Sequence, residues 1–211
     1  MKKTLKVLGL LAVAAALFIG CKNNADEGSG EKNISEPLFN VEDLTEDADT
    51  IETEDGEWTF RKTSSGDRAG YGKEENSEEL VFVIKNGAID HNADFKYIFC
   101  SKITTTEPLS EADKAMAKKM GYTDIGTNTA TYYKEIDAAK MKELMKKYSA
   151  DEEYFDEYAW AFSECMHTMG NAEWYLHDTH DDMKRNADKT KYYFEYSDKD
   201  EGLVKCYLSK N

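Results

Sequence analysis

The alternation of apolar and polar residues predicts three strands in the part of the chain that follows residue 56. Residues 57–61 alternate, as in a half-buried strand, whereas residues 80–84 are apolar throughout, as in a strand covered on both faces. Asn86-Gly87 then indicates a hairpin turn, because both residues tolerate a positive φ. Residues 95–100 alternate again. The polar, glycine-rich segment 64–77 is predicted to be a loop.

Three amphipathic stretches predict helices. The first begins with a capping box at Ser110 and ends at Gly121, and the second is capped by Asp137. The third is predicted to be capped by Ser149 and to run to about His167. Its inward face is expected to consist of five residues, Phe155, Tyr158, Phe162, Cys165 and Met166.

The order of the elements predicts the fold class. Residues 129–136 indicate one more strand between the first two helices, and residues 192–196 and 203–208 indicate a final hairpin. Strands, then helices, then strands are typical of an α+β fold with a mainly antiparallel sheet and about three helices.

Charge divides the chain into a linker and one domain. The sequence has 42 acidic residues against 27 lysines and arginines, a net charge of −15. Such a balance argues against a nucleic-acid partner and against electrostatic docking on anionic lipid. Residues 22–56 hold twelve acidic residues and two lysines, so residues 21–56 are predicted to be a flexible linker. Its apolar residues at 37–44 are candidates for docking on the single globular domain, residues 57–211.

The N-terminus has the features of an export signal. Three lysines, Lys2, Lys3 and Lys6, precede an apolar stretch at residues 7–19. Thirteen residues are too few for a bilayer-spanning helix, which needs about 20, but they suit a signal peptide. The segment Leu17-Phe18-Ile19-Gly20-Cys21 resembles the lipobox of bacterial lipoproteins, in a relaxed form similar to that of spirochaetes.

The resemblance to lipoproteins covers only these 21 residues, but it has definite implications. It implies removal of residues 1–20, a diacylglyceryl thioether on Cys21 and usually an additional acyl chain on its amino group. The first partner is therefore membrane lipid, held through Cys21, and the location is the bacterial cell envelope. The inner and outer membranes, and the periplasmic and surface faces, remain open alternatives.

The histidines provide a weak candidate for metal binding. His177 and His180 stand three residues apart, and Asp181 follows, so the three side chains would share a face if this segment were helical. No second pair of spaced ligands accompanies them in the sequence. A solvated loop is the alternative interpretation.

Trp160 is the candidate binding residue. On the predicted third helix its neighbours three and four positions away are polar or acidic, namely Asp156, Glu157, Ser163 and Glu164. We therefore expect Trp160 to be partly exposed and to belong to a recognition surface. The alternative is that the loop after Gly170, or Leu38-Phe39, covers it.

Three cysteines remain when Cys21 is acylated. An exported protein permits a disulfide, and Cys100 with Cys206 is the preferred pair because both lie in predicted strands. Reduced, buried core cysteines, with Cys165 as the third, are the equal alternative.

These features predict a membrane-anchored envelope lipoprotein whose domain binds a protein or small ligand. Neither a Gly-x-Ser-x-Gly nor a phosphate-binding loop motif occurs, so we expect no enzyme and no cofactor. Two alternatives are a structural or inhibitory partner of another envelope protein and a metal-binding lipoprotein that uses His177 and His180.

Overall fold

The computed structural model describes residues 36–68, 72–149 and 156–211. These residues form nine strands and three helices. The strands are β1 (Glu46–Asp47), β2 (Gly56–Arg68), β3 (Gly72–Lys85), β4 (Ala88–Ile89), β5 (Lys96–Thr105), β6 (Thr129–Asp137), β7 (Lys184–Arg185), β8 (Lys191–Asp198) and β9 (Gly202–Lys210). The helices are α1 (Glu111–Lys119), α2 (Ala138–Tyr148) and α3 (Ala159–His177).

All described strands belong to one antiparallel sheet. Its order is β1-β7-β8-β9-β2-β3-β5-β6, and β4 pairs with β3 outside this path. In sequence, α1 lies between β5 and β6, and α2 and α3 lie between β6 and β7. Buried residues of all three helices join the main core on the sheet. The predicted α+β class, with a mainly antiparallel sheet and three helices, is confirmed.

The segment predicted to be a loop between the first two strands is strand instead. β2 and β3 form one long hairpin in which Ser64 pairs with Asn76 and Arg68 with Gly72. β9 flanks β2 and β5 flanks β3, so this hairpin is central and its backbone groups are paired on both sides. Because neighbouring strands hydrogen-bond this segment on both sides, it is a strand although its side chains are polar and do not alternate with apolar ones.

The first two helices begin as the sequence predicts. The Ser110 hydroxyl accepts a hydrogen bond from the backbone N–H of Asp113, and the Asp113 carboxylate accepts one from the backbone N–H of Ser110, which completes a capping box. The carboxylate of Asp137 accepts from the N–H of Lys140 at the start of α2. Gly121 follows α1 with φ +88°, a left-handed conformation that suits glycine.

The third helix differs from its prediction in position and in its buried face. Ser149 ends α2 rather than capping α3, and α3 extends to His177, ten residues beyond its predicted end. Met166, predicted to face inward, is 44% exposed. Cys165 is buried as predicted, Tyr158 and Phe162 are partly buried against the core, and Phe155 lies outside the described residues. The buried residues of α3 are Trp160, Ala161, Cys165, Thr168, Ala172, Tyr175 and Leu176.

The described part of the predicted linker belongs to the domain. Phe39 packs edge-on against Tyr207 with ring centroids 5.6 Å apart, and Leu44 is buried beside it, so the expected docking of the apolar residues is confirmed. β1 pairs with β7, and Ile51 lies in the main core. The predicted domain boundary at residue 57 is therefore wrong, because residues 36–56 gain burial and strand pairing on the sheet.

The predicted signal peptide, Cys21 and residues 22–35 lie outside the described residues. Within the described residues, no helix combines the length and the apolar character that a membrane span requires.

Candidate functional site

Trp160 is a core residue, which overturns its predicted exposure. Its side chain is 7% exposed and packs against Phe99 and Tyr132, with ring centroids 4.8 and 5.1 Å away. The prediction assumed one helix that begins at Ser149, whereas α3 begins at Ala159. In this helix the side chain of Trp160 faces β5 and β6. Trp160 is therefore covered by the sheet, and neither of the two coverings suggested by the sequence is needed.

Trp174 is the tryptophan that the fold leaves in solvent. Of the three tryptophans, Trp58 is fully buried and Trp160 nearly so, but Trp174 is 55% exposed. It lies in the last turn of α3, between the exposed Glu173 and the buried Tyr175. A half-exposed indole is costly in water and is enriched among residues that dominate protein–protein interfaces.

The exposure of Trp174 could have been predicted from the sequence if the third helix had been extended beyond His167. When α3 is extended to His177, the positions three and four away from Trp174 are occupied by Gly170, Asn171, His177 and Asp178. These residues place the indole on a polar helix face, by the same reasoning that had selected Trp160.

Neighbouring rings hold Trp174 in place. It meets Tyr175 edge-on at 5.2 Å and His180 at 5.9 Å, and the planes of Trp174 and His180 are perpendicular. His180 stacks flat on Phe194 at 3.7 Å, and its Nε2 lies 3.1 Å from the carbonyl oxygen of Tyr175. Since a carbonyl only accepts, Nε2 carries the proton in this bond. The exposed indole therefore stands on a rigid support, which lowers the entropy lost on binding.

The residues considered for metal binding do not form a site. α3 ends at His177, so His180 and Asp181 lie in the following turn rather than on a shared helical face. His180 uses its ring against Phe194 and Tyr175. Across residues 36–68, 72–149 and 156–211, no group of three or more potential protein ligands is placed to hold a metal ion.

A buried ionic cluster lies under the first half of α3. The Lys62 ammonium is 2.9 Å from a carboxylate oxygen of Glu201 and 3.5 Å from one of Glu78. The other oxygen of Glu78 accepts hydrogen bonds from Tyr97, at 3.0 Å, and from Thr168 on α3. Burial lowers the pKa of Lys62, but the two carboxylates outweigh burial and raise it overall. The cluster therefore joins β2, β3, β5 and α3 by charged hydrogen bonds.

Glu164 places a third carboxyl group at this cluster. Burial, and then the charge of Glu78, raise the pKa of Glu164 to about 7, although Lys62 partly opposes the shift. Glu164 therefore exchanges its proton near neutral pH, whereas an ordinary glutamate is fully ionised there. Because Glu164 belongs to α3 and the charges around it belong to the sheet, the protonation of its carboxyl group affects how the helix packs on the sheet.

The cysteines correct the predicted disulfide. Cys165 and Cys206 are free and buried, so a Cys100–Cys206 bond is wrong and the alternative of reduced core thiols is confirmed for these two. Burial raises the pKa of both thiols, which makes them poor nucleophiles.

A small cavity lies where α3 meets β3 and β4. Leu80, Phe82, Ile89, Phe95 and Met169 form most of its apolar wall. Its volume of about 20 Å³ has room for about one water molecule. It is far smaller than the roughly 300–1,000 Å³ of pockets that hold organic ligands, which leaves the Trp174 surface as the stronger candidate.

The sequence matches no protein-family model, and no curated protein and no solved structure is significantly similar to the chain.

Proposed function

We propose that the protein is a lipid-anchored protein of the bacterial cell envelope whose domain binds a partner without catalysing a reaction. The lipobox-like segment that ends at Cys21 supports the anchor. Two acyl chains on one residue would anchor the chain stably, because each buried CH₂ contributes about 0.8 kcal/mol.

The observation that carries the binding role is the exposure of Trp174. The fold buries its other two tryptophans and leaves this one 55% exposed, although rings on two sides hold it in position. Rigid, exposed aromatic side chains supply contact area at a low entropic cost, as they do in dedicated binding surfaces. We therefore assign partner binding to the surface formed by Trp174 and His180, which we call the Trp174 surface.

The anchor is tested by the mass of the mature protein. Protein extracted from membranes should begin at Cys21 and carry the mass of a diacylglyceryl group, and Cys21→Ser should leave an unprocessed or soluble chain. One sulfur cannot carry both a thioether and a disulfide. A mature protein whose Cys21 is found in a disulfide, or whose chain still includes residues 1–20, would overturn the anchor.

The binding role is tested by photo-cross-linking in the native envelope. A benzoylphenylalanine at position 174 should give a discrete cross-linked product. The matched control is position 145 on α2, because Met145 is also an apolar side chain and is 50% exposed. Identical products from both positions, or no product from position 174, would contradict binding through the Trp174 surface.

A further inference from the structure

We infer that the Trp174 surface is a cation-binding site and that its occupant is an arginine side chain of a basic partner protein. This inference rests on the proposed function and names the chemistry of its partner.

The aromatic groups form a corner rather than a closed pocket. The perpendicular rings of Trp174 and His180, with centroids 5.9 Å apart, provide two walls of this corner. The face of an indole attracts cations through its quadrupole more strongly than the face of any other side chain. A planar guanidinium can stack on one ring and still direct its N–H groups sideways to carboxylates.

The chain that forms this corner carries acidic residues and no lysine or arginine. No lysine or arginine occurs between Ala159 and Met183, a range that includes all of α3 and the turn after it. Over the same range the chain carries Glu173, whose carboxylate lies 3.1 Å from Nε2 of His91, and, directly after the helix, Asp178, Asp181 and Asp182. An arriving cation therefore meets acceptors and, within these residues, no competing positive charge.

The end of α3 strengthens this preference. The carbonyl groups of a final helical turn give the C-terminus a partial negative charge, which favours cations. Trp174 lies in that turn, and its own carbonyl accepts from the N–H of Asp178 at 2.9 Å. The His180 bond to the Tyr175 carbonyl folds the acidic turn back against the helix end.

The surface beside the indole is open. Gly170 lies one helical turn before Trp174, and among the described residues a methyl group placed on it would meet no atom within 4 Å beyond its chain neighbours and its own helix backbone. The helix therefore offers a smooth, unoccupied strip next to the ring along which a partner's backbone can approach. Since only two aromatic walls are present, a flat guanidinium fits this corner better than a quaternary ammonium, which needs a more complete aromatic cage.

The test titrates the full-length protein in neutral detergent with three short peptides. The peptides are Ac-Gly-Arg-Gly-Arg-Gly-NH₂ and its lysine and citrulline counterparts, citrulline being the uncharged analogue of arginine. Calorimetry should show the tightest binding for the arginine peptide, and Trp174→Leu should weaken it about two- to fivefold, the range for an exposed cation–π contact. Asp178→Asn should also weaken binding of the arginine peptide. Added salt should reduce the difference in affinity between the arginine and citrulline peptides.

The matched control is Met145→Leu, which changes an equally exposed apolar side chain on α2 and should leave peptide affinity unchanged. Circular dichroism of each variant verifies its fold. Equal binding of the citrulline and arginine peptides would overturn the inference, and so would an unchanged arginine-peptide affinity in Trp174→Leu.

The inference and the proposed function fail separately. A discrete cross-link from position 174, together with equal binding of citrulline and arginine peptides, would retain partner binding and reject the cation. Trp174-dependent arginine binding without any cross-linked product would retain the cation site and reject the proposed partner binding in the envelope.

Discussion

Replacing Glu164 by glutamine should make the protein more stable at pH 8. The carboxyl group of Glu164 lies at the junction of α3 with the sheet, where it faces Glu78 on β3, Lys62 on β2 and Glu201 in the β8–β9 turn. Burial and the charge of Glu78 favour its neutral form, and only Lys62 among these groups favours the ionised form. Glutamine keeps the shape of the neutral acid and removes its titration.

The magnitude follows from the difference between the two states. The pKa of Glu164 is about 7 in the folded protein, against an ordinary value of 4.5. A raised folded-state pKa stabilises the protein at low pH, and this contribution is lost as pH rises through 7. A difference of about 2.5 pH units corresponds to roughly 3 kcal/mol. Glu164→Gln should therefore match the wild type near pH 4.5 and exceed its free energy of unfolding by up to about 3 kcal/mol at pH 8.

The assay is urea unfolding followed by tryptophan fluorescence at several pH values between 4.5 and 8. The quantity of interest is the difference in free energy of unfolding between variant and wild type at each pH, which cancels the titration of the other acids. Glu107→Gln is the control, because Glu107 lies in an exposed loop. A difference that stays constant with pH, or that favours the wild type at pH 8, would refute the reasoning.

Three further outcomes are expected. Trp160→Ala should lower the free energy of unfolding by about 3–5 kcal/mol in urea titrations, as for other buried aromatics, and a loss below about 1 kcal/mol would contradict its core position. Gly202→Ala should destabilise by at least about 2 kcal/mol, because φ is +77° and the new Cβ would lie 2.2 Å from the Ser65 carbonyl oxygen; its control, Gly170→Ala, should stabilise by about 1 kcal/mol. Cys165 and Cys206 should react with Ellman's reagent only after unfolding, and rapid labelling of the native protein would contradict their burial.

Local rules predicted the elements whose signals are local. The capping box at Ser110, the cap at Asp137 and the Asn86-Gly87 turn all form as expected, because each depends on groups a few residues apart. The hairpin over residues 64–77 was missed because its strands are defined by partners far away in sequence. Its polar side chains enter the sheet because tertiary pairing, rather than apolar alternation, stabilises that region.

The candidate site illustrates a similar limit. An exposed tryptophan was predicted from polar residues three and four positions away on the helix. This criterion pointed to Trp160 because the third helix was placed about ten residues too early in the chain. The correct residue, Trp174, depends on where α3 ends. The ionic cluster around Lys62 and Glu78 could not be predicted from the sequence either, since it joins three strands and a helix that no short motif connects.

The packing of residues 36–56 on the sheet determines how far the domain can stand from a membrane. A free linker of 35 residues could extend about 120 Å, but with Glu36 already part of the domain only about fifteen residues separate it from Cys21, and these span at most about 50 Å. With the proposed anchor, the Trp174 surface is confined to a thin layer above the lipid. Confinement of this kind raises the effective concentration of any partner held in the same layer. Two membrane-attached proteins could therefore associate through a weak contact at one exposed ring.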